Sequence, residues 1–151
     1  MDPISIIVTA LATGAAAGLK STAEKAIKDA YASIKGLIKR KYGDVDLAAL
    51  ETKPGSKNKR ASVAEDLAEA GASADQELLD QAKAMIDAIA KHDKATASAI
   101  GVDLEEVRAA YLKIQKVRAE GTGVKVRNGE FDGGIDIGEI LTGNVGNSSD
   151  P

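Results

Sequence analysis

The sequence predicts a mainly α-helical protein, a bundle of four to five helices followed by a short β segment. Three observations lead there. Apolar residues recur at three- and four-residue spacing through residues 1–111. Hydrophobic residues make up 44% of the 151-residue chain but aromatics only 3%, so the core is built from Ala, Leu, Ile and Val. From residue 112 the spacing turns to alternation broken by glycines.

Residues 3–19, PISIIVTALATGAAAGL, form the first helix and carry no charge between Asp2 and Lys20. Pro3 suits a first helical turn. At 1.5 Å per residue the stretch is about 25 Å long, the lower edge for crossing a bilayer core. Acidic Asp2 stands where a signal peptide carries positive charge, which argues against a cleaved leader. Gly14-Ala15-Ala16-Ala17-Gly18 is a GxxxG spacing that lets helix backbones touch. Two readings of this segment stay open: a core helix of a bundle, or a helix that also enters a membrane.

Ser21-Thr22-Ala23-Glu24 has the form of a capping box. Beyond it Ala23, Ala26, Ile27, Ala30, Tyr31, Ile34, Leu37 and Ile38 line one face of a second helix, with Lys25, Lys28, Lys35 and Lys39 opposite and Gly43 as its expected stop. Asp44 or Asp46 can cap a short turn through Leu47 and Leu50. Residues 52–60, with a Pro54-Gly55 break, are expected to form a polar loop. Helices follow over residues 61–70, closed by Gly71, over 74–91, and from an Asp103 cap to about Ala110. A short turn at 95–100 bridges the last two.

The alternating pairs Leu112-x-Ile114, Val124-x-Val126 and Ile135-x-Ile137 suggest two or three short strands, separated by the turn dipeptides Asn128-Gly129 and Gly133-Gly134. Strands this short need partners. They pack on the helices, stack as a small solenoid, or pair between chains. In the last case Val124, Val126, Phe131, Ile135, Ile137, Gly138 and Ile140 form a homotypic assembly motif. Residues 144–151 are read as a frayed tail. The domains are thus a helical bundle at 1–111 and a β segment at 112–143.

Composition narrows the chemistry. The chain has no cysteine and one histidine, His92, in a charged stretch at a helix end. Thiolate sites have no donors, and zinc sites or Ser-His-Asp triads usually need more imidazole. Neither a phosphate-binding GxxxxGK[ST] nor a GxGxxG between strand and helix occurs. We therefore expect no enzyme, no cofactor and no bound metal. Net charge is −3, but residues 1–42 carry seven Lys or Arg against three acids, a local +4. That end is attracted to anionic surfaces. The basic helix lacks aromatics for base stacking and the whole chain is acidic, which disfavours nucleic acid.

The opening Met1-Asp2-Pro3-Ile4-Ser5-Ile6-Ile7, with its Ala/Gly-rich continuation, resembles the N-termini of HeLo-type domains of fungal cell-death proteins and of the bacterial HeLo-like group called Bell domains. Ile135-Asp136-Ile137-Gly138 is similar to the core of RIP-homotypic-interaction motifs used in amyloid signalling, although Asp136 replaces the glutamine that would ladder along a fibril. The resemblance implies a helical bundle that permeabilises membranes through its apolar N-terminal helix. It also implies that a receptor sharing the C-terminal motif passes it a template.

Two functions therefore stand as expectations. The first is a cytoplasmic, membrane-active effector of bacterial cell death or defence that self-assembles and moves to the inner face of the membrane. Ile4, Ile6, Ile7, Val8, Leu11 and Leu19 would then meet lipid, with Gly14 and Gly18 at helix contacts in a homo-oligomer. Lys20, Lys25, Lys28, Lys35, Lys39, Arg40 and Lys41 would meet anionic headgroups. The second is a protein-interaction adaptor without membrane activity, in which residues 3–19 stay in the core.

Overall fold

A computed structural model describes residues 1–128. Its first element, α1 (Pro3–Gly18), begins where the sequence places it: the Asp2 carboxylate accepts the Ser5 N–H at 2.7 Å and Pro3 occupies the first turn. Apart from a stripe of Ser5, Thr9 and Thr13 this helix is apolar, and helices so largely apolar end up enclosed. Ile6, Ile7, Ala10, Leu11, Ala12 and Ala17 have no exposed surface, and Ile4 and Val8 almost none.

The enclosure is built from amphipathic helices. α2 (Lys25–Lys41) and α5 (Gln76–His92) pack on α1 and on each other. α4 (Lys57–Glu69) covers a further side, with the short α3 (Ala48–Thr52), α6 (Lys94–Ala99) and a 3-10 turn (Ala72–Ala74). α2 turns Ile27, Tyr31, Ile34, Leu37 and Ile38 inward. α5 does the same with Leu78, Leu79, Ala82, Met85, Ile86 and Ile89. Both sets keep the three- and four-residue spacing that places side chains on one stripe. Met1–Leu112 forms one compact unit.

Short polar side chains set most helix starts. Ser56 caps α4, Asp75 caps α5 and Asp93 caps α6, each accepting a backbone N–H three residues ahead. Asp46 accepts from Ala48, and Asp103 from Glu105 and Glu106. Gly71 ends α4 at φ +83°, a conformation glycine adopts without a Cβ clash.

Three expectations are corrected. The residues at 57–60 are helical, not loop, because Ser56 starts α4 immediately after the Pro54-Gly55 break. The Ser21–Glu24 box is not used: α2 starts at Lys25, and its N-cap Glu24 makes no side-chain capping bond. α2 does stop just before Gly43, as expected: Lys41 is its last residue and the Tyr42 N–H bonds the Ile38 carbonyl, although Gly43 itself is not left-handed. The third correction concerns α7 (Leu104–Asn128), which runs through both Leu112–Ile114 and Val124–Arg127. The first two strand expectations therefore fail, Val124 and Val126 lying in a helix instead, and no strand occurs among the described residues. A Φ-x-Φ triplet fits either period. A helix already begun at Leu104 satisfies each further backbone group within itself, whereas a three-residue strand needs a neighbour. The third triplet, with Phe131, Ile135, Ile137, Gly138 and Ile140, lies outside the described residues.

Candidate functional site

α1 is the candidate functional element, and its surroundings show what holds it. Gly14 is the point of closest approach. A Cβ built there would lie 2.9 Å from the Tyr31 ring and 2.9 Å from the Met85 methyl. At Gly18 it would meet Ile27 and Tyr31 at 3.4 Å. The GxxxG face is thus occupied within the fold by α2 and α5. Any role for these glycines between copies requires α1 to leave those neighbours. Thr13 is buried but satisfied, its hydroxyl donating to the Thr9 carbonyl at 2.6 Å.

Tyr31 is fixed from its far end. Its hydroxyl donates to Glu51 of α3 at 2.6 Å, and the Lys35 ammonium donates to the same carboxylate at 2.7 Å. Burial, aided by the bond to Glu51, pushes the Tyr31 phenol far above its ordinary range. Burial would raise Glu51 too, but the bonds from Lys35 and Tyr31 outweigh it and hold the carboxyl below 4.5. One chain of contacts thus links α3 to α2 and α2 to the glycine face of α1.

Ile4, Ile6, Ile7, Val8 and Leu11 all lie in the core, as do Gly14 and Gly18. Leu19 is the exception at 53% exposed, in the turn after α1. Buried side chains of this size each contribute about 1.5–3 kcal/mol, so the five Ile, Val and Leu residues together hold α1 by roughly 10 kcal/mol. That is comparable to the whole stability of a domain. α1 can therefore not move into water; it can only exchange its present neighbours for another apolar environment.

The seven basic residues divide. Lys20 pairs with Asp93 at 3.4 Å and donates to Thr96, tying the turn after α1 to the α5–α6 junction. Lys25 pairs with Asp29, and Lys35 with Glu51. Lys41 meets Asp75 at 3.2 Å and Glu77 at 2.7 Å, where Tyr42 also donates to Asp75. Asp75 would be raised by burial, but Tyr42, the Leu78 N–H and Lys41 together keep it below 3.8. Lys28, Lys39 and Arg40 make no ion pair among the described residues and stay exposed. The sequence marks the basic stripe but not these long-range partners. His92 sits in the last turn of α5, 3.9 Å from Glu24.

Among the described residues no His, Cys, Asp and Glu group could hold a metal, and no helix is long and apolar enough to cross a membrane. The class these features define is a helical bundle domain wrapped around an apolar N-terminal helix. The chain belongs to the Het-E N-terminal domain family, whose model matches residues 1–144. This is a HeLo-like fungal cell-death domain family, associated with heterokaryon-incompatibility signalling. No curated protein and no solved structure matches the chain.

Proposed function

We propose that this chain is a non-enzymatic, membrane-active effector domain of a cell-death or defence pathway, acting by exchanging the burial of α1 in the bundle for burial in lipid. The observation that carries the reading is the central helix itself: uncharged, apolar but for Ser5, Thr9 and Thr13, with most of its residues enclosed by helices that are each polar outside. Self-association triggers the exchange. Lys28, Lys39 and Arg40 are free to meet anionic headgroups at once, and each contributes about 1 kcal/mol near such a surface. Lys20, Lys25, Lys35 and Lys41 join only after their ion pairs open. In the cell the protein waits in the cytoplasm and binds the inner face of the membrane.

α1 has 16 residues, about 24 Å of helix against a hydrocarbon core of about 30 Å. Insertion therefore calls for local thinning of the bilayer or for helical extension through Leu19. That same shortness favours the second reading, an adaptor whose α1 never leaves the core. The test is release of a trapped dye from anionic vesicles. Leakage that falls when Lys28, Lys39 and Arg40 are reversed to Glu supports the effector. A folded protein driven to oligomerise that neither binds nor permeabilises vesicles supports the adaptor.

A further inference from the structure

Two exposed surfaces of the bundle carry opposite unpaired charge and a smooth small-residue lining. On α2 the outward stripe runs Lys28, Ala32, Gly36, Lys39 and Arg40, all exposed. Gly36 has open space above it, with nothing within 4 Å of an added Cβ. Beside the end of α2 is an open hollow of about 410 Å³ bordered by Tyr42, Asp44, Val45, Asp66, Glu69 and Ala70. Its three carboxylates, and Glu65 on the outward side of α4, make no ion pair among the described residues. Lys41 also borders the hollow but is committed to Asp75 and Glu77.

We infer that these surfaces bind each other between two copies of this chain, Lys39 and Arg40 of one copy entering beside Asp44, Asp66 and Glu69 of the next. The charges suit each other, and Ala32, Gly36 and Ala70 let the backbones come close enough for the pairs to be partly desolvated, where they are stronger. Val45 and Tyr42 give the aliphatic stems of the incoming cations an apolar wall. Because the basic and acidic patches adjoin at the end of α2, a two-fold pair can use both at once. The contact rests on the self-association part of the proposed function and gives it a surface within the helical bundle, separate from residues 129–151. An anionic membrane would use the basic stripe but gain nothing from the carboxylates, so the two uses are separable.

The experiment is light scattering on the full chain at low salt, together with flotation on anionic vesicles. One variant carries Lys39→Glu with Arg40→Glu, another Asp66→Lys with Glu69→Lys; Lys39, Arg40 and Glu69 are exposed and Asp66 half-buried, and circular dichroism checks each fold. We expect wild-type protein to self-associate, each variant alone to associate at least tenfold more weakly, and an equimolar mixture of the two to recover association. The Asp66→Lys, Glu69→Lys variant should still float with vesicles. Wild-type protein that stays monomeric at high concentration, or association indifferent to either reversal, overturns the inference. Loss of flotation in that variant would count against the lipid reading instead and leaves the scattering result to decide the inference by itself.

Discussion

Replacing two glycines by alanine, one at a time, should move stability in opposite directions. Both Gly14 and Gly36 lie inside helices, where Gly→Ala ordinarily stabilises by about 0.5–1 kcal/mol through helix propensity and the entropy of the unfolded chain. At Gly36 the added methyl meets nothing, so the full gain should appear. At Gly14 it arrives 2.9 Å from two side chains at once. The Met85 methyl can swing aside. The Tyr31 ring cannot easily do so, because its hydroxyl is bound to Glu51 and its body is buried. Overpacking of this kind costs about 1–3 kcal/mol, so Gly14→Ala should be a net loss of about 1 kcal/mol after the propensity gain. Urea unfolding followed by circular dichroism reads both, as an upward shift of the midpoint for Gly36→Ala and a downward one for Gly14→Ala at unchanged slope. If Gly14→Ala also stabilises, the GxxxG face is not the tight contact of the bundle, and its proposed competition between core and oligomer loses its basis.

Further outcomes follow from the same contacts. Tyr31→Phe should cost about 1–2 kcal/mol, since it leaves Glu51 short of a partner in a part-buried site, and hydrogen exchange should show faster opening of α1 in that variant. Asp75→Ala removes the N-cap of α5 together with the ties to Lys41 and Tyr42, and should cost about 2 kcal/mol in urea unfolding. Acid should unfold the protein through its tied carboxylates. Glu51, Asp75 and Asp87, the last accepting from Lys83 and Arg108, all sit below their ordinary values in the fold, so their contribution is full above about pH 5 and is lost as pH falls below about 4. A circular-dichroism titration of Asp75→Asn should show a weaker dependence in that window. Reversing Lys28, which the self-association surface does not require, should weaken vesicle binding by about fivefold or more, at about 1 kcal/mol per basic residue.

The main helices were legible because their cues are local. Asp2 and Pro3 announce α1, the apolar spacing from Leu78 to Ile89 defines α5, and Gly71 and Asp103 mark boundaries. The errors arose where one local signal admitted two answers. Ser56 followed a Pro-Gly break and preceded Lys57-Asn58-Lys59, a first turn with no apolar residue, so the start of α4 had no periodic signal to betray it. Ser21 and Glu24 match a capping box by spacing, yet the turn after α1 is shaped by the long-range tie of Lys20 to Asp93, which spacing cannot show. Leu112-x-Ile114 and Val124-x-Val126 alternate over only three residues, too few to tell a strand from a helix already in progress. At the candidate site the apolar helix was readable, but its partners Tyr31, Met85 and Glu51 were not. Contacts between α1, α2, α3 and α5 depend on how the helices assemble, and no single stretch of sequence contains them.

The most direct measurement places a fluorescent reporter on α1. The chain has no cysteine, so Thr9→Cys gives a single labelling position halfway along the helix and only part-buried. The labelled protein, its fold checked by circular dichroism, is mixed with anionic vesicles containing a trapped dye, with and without conditions that drive self-association. We expect a blue shift of the reporter and its quenching by a lipid-phase quencher, rising together with dye release. A reporter whose emission is unchanged while the protein binds and oligomerises would mean that α1 remains in the core, and the membrane role would fall.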